Sequence, residues 1–94
     1  MARATLNGEV LAESEAVETI EGCLYFPRDA VRMEHLEPCG TRTVCPWRGV
    51  ATYYDVRVGD RLEPAAAWSY EAPKRRARRI EGAIACWKGI DVEP

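Results

Sequence analysis

Nine consecutive residues, Thr41-Arg42-Thr43-Val44-Cys45-Pro46-Trp47-Arg48-Gly49, crowd a thiol, an indole, guanidinium groups and two hydroxyls into one short stretch. A cysteine beside a cation has its thiolate favoured and can serve as a nucleophile or redox centre, which makes Cys45 the candidate catalytic residue. The same stretch also reads as a turn into a strand. In that reading Pro46 fixes φ, Gly49 permits a close approach, Trp47 covers a core edge and Cys45 packs as a small apolar residue. Trp68, Ser69 and Tyr70, with Tyr53, Trp47 and Tyr25, add aromatic surface with polar tips. Such surface suits either core mass or a concave site that stacks a flat ligand and hydrogen-bonds its edges.

Other chemistries find no support. Cys39 and Cys45 are too far apart for the tight C-x₂₋₄-C pairing of structural zinc sites, and the lone His35 sits among Met33, Glu34 and Leu36 with no nucleophile beside it in sequence, so no metal or cofactor is expected. The chain has no G-x-x-x-x-G-K-[ST] loop, no G-x-G-x-x-G turn and no close Asp pair for catalytic magnesium. Its two serines, Ser14 and Ser69, lie outside any G-x-S-x-G pattern.

The elements that must hold these groups are short. Asn7-Gly8 between Ala4-Thr5-Leu6 and Glu9-Val10-Leu11 is a type I′ hairpin signal. Glu21-Gly22 predicts a second hairpin, with Val17, Thr19, Leu24 and Phe26 on one face and Ile20, Cys23 and Tyr25 on the other. Pro27 ends it, Asp29 is placed to cap a helix, and the spacing of Ala30, Val31, Met33, Glu34 and Leu36 predicts one short helix over residues 29–36. Val50 to Val58 reads as a strand that turns at Gly59-Asp60 and returns from Arg61 to about Tyr70. If the turn sets the register, Ala51 faces Trp68, Tyr53 faces Ala66, and Tyr53 and Trp68 are diagonal neighbours. Pro64 removes a ladder donor, so the return strand is at a sheet edge or bulged there, and an exposed edge at Pro64 is where two chains could pair. With a last apolar strand at Ala83 to Trp87, the count is about seven short strands and one helix, a mainly β (β-rich α+β) fold of small antiparallel sheets over a small core.

Several motifs in order resemble one family. Tyr25-Phe26-Pro27 with the segment after it, Leu36-Glu37-Pro38, Thr41-x-Thr43-x-Cys45-Pro46-Trp47-Arg48-Gly49-x-Ala51-x-Tyr53, Ala67-Trp68-Ser69-Tyr70 with Pro73, and Ile80-x-Gly82 are similar to the domain of unknown function 427 over residues 8–92. The resemblance implies a β-tent-like fold, in which sheets lean over an open cleft. Some catalogues label the family nucleotidyltransferase-like, and that activity stands as a named alternative. Relatives in the wider class include zinc-bearing domains and methionine sulfoxide reductases, but their paired C-x-x-C knuckles are missing here. Of the four cysteines only Cys45 belongs to the shared motif, with Arg48 as the matching cation.

At 94 residues the chain is read as a single domain, 1–94. Its formal charge of −2 hides an asymmetry: Lys74, Arg75, Arg76, Arg78 and Arg79 form one basic run, and without it 8 basic residues face 15 acidic ones. An acidic body with one basic stripe does not resemble a nucleic-acid binder. No apolar stretch approaches the ~18 residues of a membrane span and no signal core precedes Asn7-Gly8, so a cytoplasmic protein with free thiols and no membrane partner is expected.

The leading expectation is a binding domain for a small anionic or flat ligand, in a pocket lined by Tyr25, Thr43, Cys45, Trp47, Arg48, Tyr53, Trp68 and Tyr70. An enzyme using Cys45, or a protein-interaction module docking through the Lys74 to Arg79 stripe, are the alternatives.

Overall fold

A computed structural model describes the whole chain, Met1–Pro94. Strand β1 (Ala2–Leu6) turns at Asn7-Gly8 into β2 (Glu9–Ser14), and both turn residues have the positive φ, 53° and 80°, that a type I′ hairpin demands. Glu21 and Gly22 make the same turn, at φ 52° and 81°, between β3 (Glu18–Ile20) and β4 (Cys23–Tyr25). The predicted split of faces holds. Ile20, Cys23 and Tyr25 join one apolar cluster, while Val17, Leu24 and Phe26 join the other.

A four-stranded antiparallel sheet carries most of the chemistry, in the order β5 (Leu36–Cys45), β6 (Gly49–Val58), β7 (Arg61–Ser69), β8 (Ala85–Cys86). The last strand, β9 (Asp91–Glu93), returns to β1 and completes a three-stranded sheet, β2-β1-β9. On one face of the larger sheet, Tyr54, Val56 and Val58 pack with Leu6, Leu11, Phe26 and Ile84. Burial of each large apolar side chain there contributes about 1.5–3 kcal/mol. On the other face, Ala51 and Trp68 pack with Tyr25, Tyr70, Ala77 and Ile80. The two faces of one sheet thus serve two separate apolar clusters.

The structure corrects two expectations. Residues 29–36 form no single helix but two 3₁₀ turns, Arg28–Ala30 and Met33–His35, and Asp29 caps neither. Val31 between them is extended (φ −110°, ψ 135°) because β2 claims it: Val31 bridges Ala12, and the Arg32 N–H donates to the Leu11 carbonyl at 2.8 Å. The stretch from Leu36 to Cys45, which contains Pro38 and Gly40, is one long edge strand. Pro38 is tolerated at the edge, and Gly40 (φ 82°) absorbs the bulge between Pro38 and Arg42.

The hairpin register is the second. It follows the Gly59-Asp60 turn as far as Val56↔Glu63, then shifts, and Tyr53 lies directly opposite Trp68 with Tyr54 opposite Ala67. Ala65, at φ 50°, takes up the extra residues, and the Asp55 carboxylate accepts its N–H at 2.8 Å. Because the shift is two residues, Tyr53 and Trp68 keep the same face. Pro64 lies at this bulge, one of the two placements expected for it, and not at an open edge. Trp87 donates to the Ala65 carbonyl and Lys88 to that of Pro64, covering β7 there, and the outer strands of the sheet are β5 and β8. No helix is long and apolar enough to cross a membrane.

Candidate functional site

The crowded turn of the sequence is the loop of the β5-β6 hairpin: Cys45 pairs with Gly49, and Pro46, Trp47 and Arg48 span the gap. Gly49 is at φ 113°, a conformation that L side chains rarely adopt, and its Cα faces the backbone of Ala72, Pro73 and Lys74. The Lys74 N–H donates to the Arg48 carbonyl at 2.8 Å, and Lys74 Nζ donates to the Pro46 carbonyl at 2.7 Å. The loop is therefore strapped to the segment leaving β7. Its position is set from both sides.

Arg48 turns inward, with its side chain only 12% exposed. Nη1 donates to the hydroxyl of Tyr25 at 3.2 Å and makes a longer contact, 3.5 Å, to that of Tyr70. Its guanidinium carbon lies 5.1 Å from the Trp47 ring centroid and 5.7 Å from that of Tyr70, within cation–π range. Nη2 bonds and ion-pairs with the carboxylate of Glu21 at the tip of the β3-β4 hairpin. Nε is buried and has no partner.

Beneath the guanidinium, the Tyr25 oxygen also accepts from Trp68 Nε1 at 3.2 Å, and the two rings meet edge to face with centroids 6.3 Å apart. Burial pushes the Tyr25 phenol up to about 12, the Trp68 hydrogen bond pulling the other way. Burial also raises Tyr70, while the charge of Arg48 opposes it. Trp68 lies beside Tyr53 (6.1 Å) and Trp87 (5.6 Å), and the Tyr53 hydroxyl is 3.2 Å from the Thr43 hydroxyl on β5. An aromatic row thus crosses the sheet from Trp87 through Trp68 to Tyr53 and Thr43.

The sequence-derived residues fall into two groups along this face. Tyr25, Trp47, Arg48, Trp68 and Tyr70 surround the guanidinium, and Cys45 packs against their cluster from the end of β5. Thr43 and Tyr53 stand further along the aromatic row. Between them there is no hollow: Tyr25 is 1% exposed, Trp68 is 7% exposed, and no pocket opens anywhere in the molecule. The groups converge on a filled interior whose charged member is held at the rim.

Cys45 has no histidine for a neighbour, since His35 precedes the far end of β5 and its Nδ1 lies 2.9 Å from the Arg57 carbonyl. All four cysteines are free, and burial pushes the Cys86 thiol up to about 12. No three His, Cys, Asp or Glu side chains are grouped to hold a metal ion.

Two features escaped the sequence reading. Glu21 passed as a turn residue, although turns of this type favour Asn, Asp or Gly at φ > 0, and a glutamate there was the available signal. The second is a tie formed by Arg28, Tyr54 and Glu71. Arg28 donates to the Tyr54 hydroxyl and the Gly82 carbonyl, both at 2.9 Å, and Tyr54 donates to Glu71. It joins β6 to the segments on either side of the basic run, and no spacing in the chain announces it.

Taken together, these features define a small β-rich fold of antiparallel sheets with an inward arginine held among aromatic rings. The chain belongs to the family described as a domain of unknown function (DUF427), which matches residues 1–93. No curated protein matches it.

Proposed function

We propose that the chain binds a small molecule carrying a carboxylate or phosphate beside a flat group, with Arg48 taking the anion. A guanidinium offers two parallel N–H groups along its Nε–Nη2 edge, the geometry that grips a carboxylate or phosphate with two bonds. Here Glu21 uses Nη2 alone and the buried Nε–H is left over. That half-used edge is the observation that carries the reading.

The protein's own design supports it. The Tyr25 and Tyr70 hydroxyls at Nη1 orient the fork in advance, so a ligand forgoes little ordering entropy in using it. The Glu21 side chain is 62% exposed and sits on a two-residue turn, so it leaves easily. The ligand takes the place that Glu21 vacates and lays its flat part against the partly exposed Trp47. Glu21 is then a resident competitor for the site.

Calorimetric titration with benzoate tests this, because that ion combines a carboxylate with a flat ring. Glu21→Gln removes the competing charge and is expected to tighten binding by about tenfold, equivalent to 1.4 kcal/mol. Equal affinity in the two proteins would remove Glu21 from the account, and absence of binding in both would remove the site.

A further inference from the structure

The basic run is a built surface, not a loose tail. Residues Arg75–Ile80 form a 3₁₀ segment with a kink at Ala77 (φ −107°, ψ 16°), and Ala77 and Ile80 are fully buried in the aromatic cluster. Both its ends are bonded: Ala77 N–H donates to the Lys74 carbonyl, Glu81 N–H to that of Arg78, and Gly82 N–H to that of Tyr70. Positions 77 and 80 are buried, and Arg75, Arg76, Arg78 and Arg79, on either side of the kink, are all exposed.

Charge pairing separates this surface from the rest of the molecule. Apart from Arg42, every arginine outside the segment has a carboxylate partner. Within it only Arg79 is paired, with Glu18 at 3.0 Å. Arg75, Arg76 and Arg78 stay unneutralised on a chain that holds 15 acidic residues. The fold gathers positive charge here and supplies nothing to meet it.

We propose that this segment docks an extended acidic stretch of a partner polypeptide, its carboxylates meeting the exposed, unpaired guanidinium groups of Arg75, Arg76 and Arg78. A long polyanion or an anionic membrane would instead sweep across the acidic remainder of the surface and be repelled by it. This surface is separate from the Arg48 edge and does not depend on the reading given for it.

The test titrates the full chain with an eight-residue peptide of alternating Glu and Ser, against the same peptide with Gln in place of Glu, and against octathymidylate. The acidic peptide is expected to bind tightest of the three. Its affinity should fall at least about fivefold as salt rises from about 20 to 200 mM, since that range carries the screening length from well beyond to below ~10 Å. Arg75→Gln/Arg78→Gln should weaken binding of the acidic peptide at least about fivefold, with circular dichroism confirming the fold, while Arg3→Gln/Arg61→Gln should leave binding intact. No saturable binding at low salt, equal binding by the Arg75→Gln/Arg78→Gln protein, or tighter binding of the oligonucleotide would each overturn the proposal.

Discussion

The indole nitrogen of Trp68 and a guanidinium nitrogen of Arg48 each stand 3.2 Å from the phenol oxygen of Tyr25. One hydroxyl, buried beneath the rim, satisfies a donor from β7 and a donor from the β5-β6 loop. It is one of the points where the β3-β4 hairpin is fastened to the larger sheet.

Removal of that oxygen should therefore cost more than a surface hydroxyl. In Tyr25→Phe two donors lose their acceptor, and leaving such groups unmet costs about 1–3 kcal/mol each, more for a charged one. A drop of about 2–4 kcal/mol in stability, read from the urea midpoint at unchanged slope, is expected. Tyr70→Phe, which gives up only the 3.5 Å contact, should lose less. Equal losses would contradict the assignment of Tyr25 as the fastening point.

Gly49 is needed for its backbone more than for its size. A Cβ there would meet the Lys74 nitrogen and Pro73 Cα at 3.5 Å, ordinary contact, but φ 113° lies outside the range of L residues. Gly49→Ala should cost about 1–3 kcal/mol of stability and, by shifting the Arg48 loop, weaken anion binding. Thermal unfolding that matches the parent protein would show that the loop adapts freely.

Alkaline pH probes the same cluster. The unfolded chain releases the Tyr25 proton near 10.0, whereas the folded chain holds it to about 12. Across that window the native state binds more protons than the unfolded state, so stability is intact below pH 10 and falls as pH rises toward 12. Tyr54 and Tyr70 are raised as well, chiefly by burial. Absorbance at 295 nm should show three of the four tyrosines ionising late or only on unfolding; four ionising together near 10 would refute it.

Thiol chemistry separates the cysteines. Burial holds the Cys86 thiol protonated, so iodoacetamide at pH 8 should modify it last in the folded protein and at the common rate in denaturant. Cys45 makes no bond to Arg48, whose partners are Tyr25, Tyr70 and Glu21, so Cys45→Ser should leave benzoate affinity within about twofold. A large loss on that substitution would place the thiol in the binding machinery.

Much of the fold was legible because it rests on local signals. The Asn7-Gly8 and Glu21-Gly22 turns set their own strands, and alternation then sorted Tyr25 from Phe26 onto opposite faces. What escaped was set by distant partners. Val31 has helical spacing, yet a hydrogen-bonding strand three turns of chain away drew it into extended form. The Ala65 bulge depends on an Asp55 carboxylate across the ladder, which turn chemistry at Gly59-Asp60 does not encode. At the site, residue type pointed to Arg48 and its aromatic collar, but the collar turned out to be packed solid, because Tyr25 and Trp68 fill the space between the sheets. Glu21 was hidden by its position, since a turn residue is read for its backbone and not for the reach of its side chain.

The half-used edge of Arg48 can be observed directly by following its Nε–H resonance in ¹⁵N-labelled protein during titration with benzoate. The account predicts a saturable shift of that one signal, reached at lower benzoate concentration in Glu21→Gln, and a benzoate affinity lowered at least about tenfold in the folded Arg48→Lys protein by calorimetry. An Nε–H resonance that stays still in Glu21→Gln while benzoate is raised to saturation elsewhere, or not taken up at all, would contradict it.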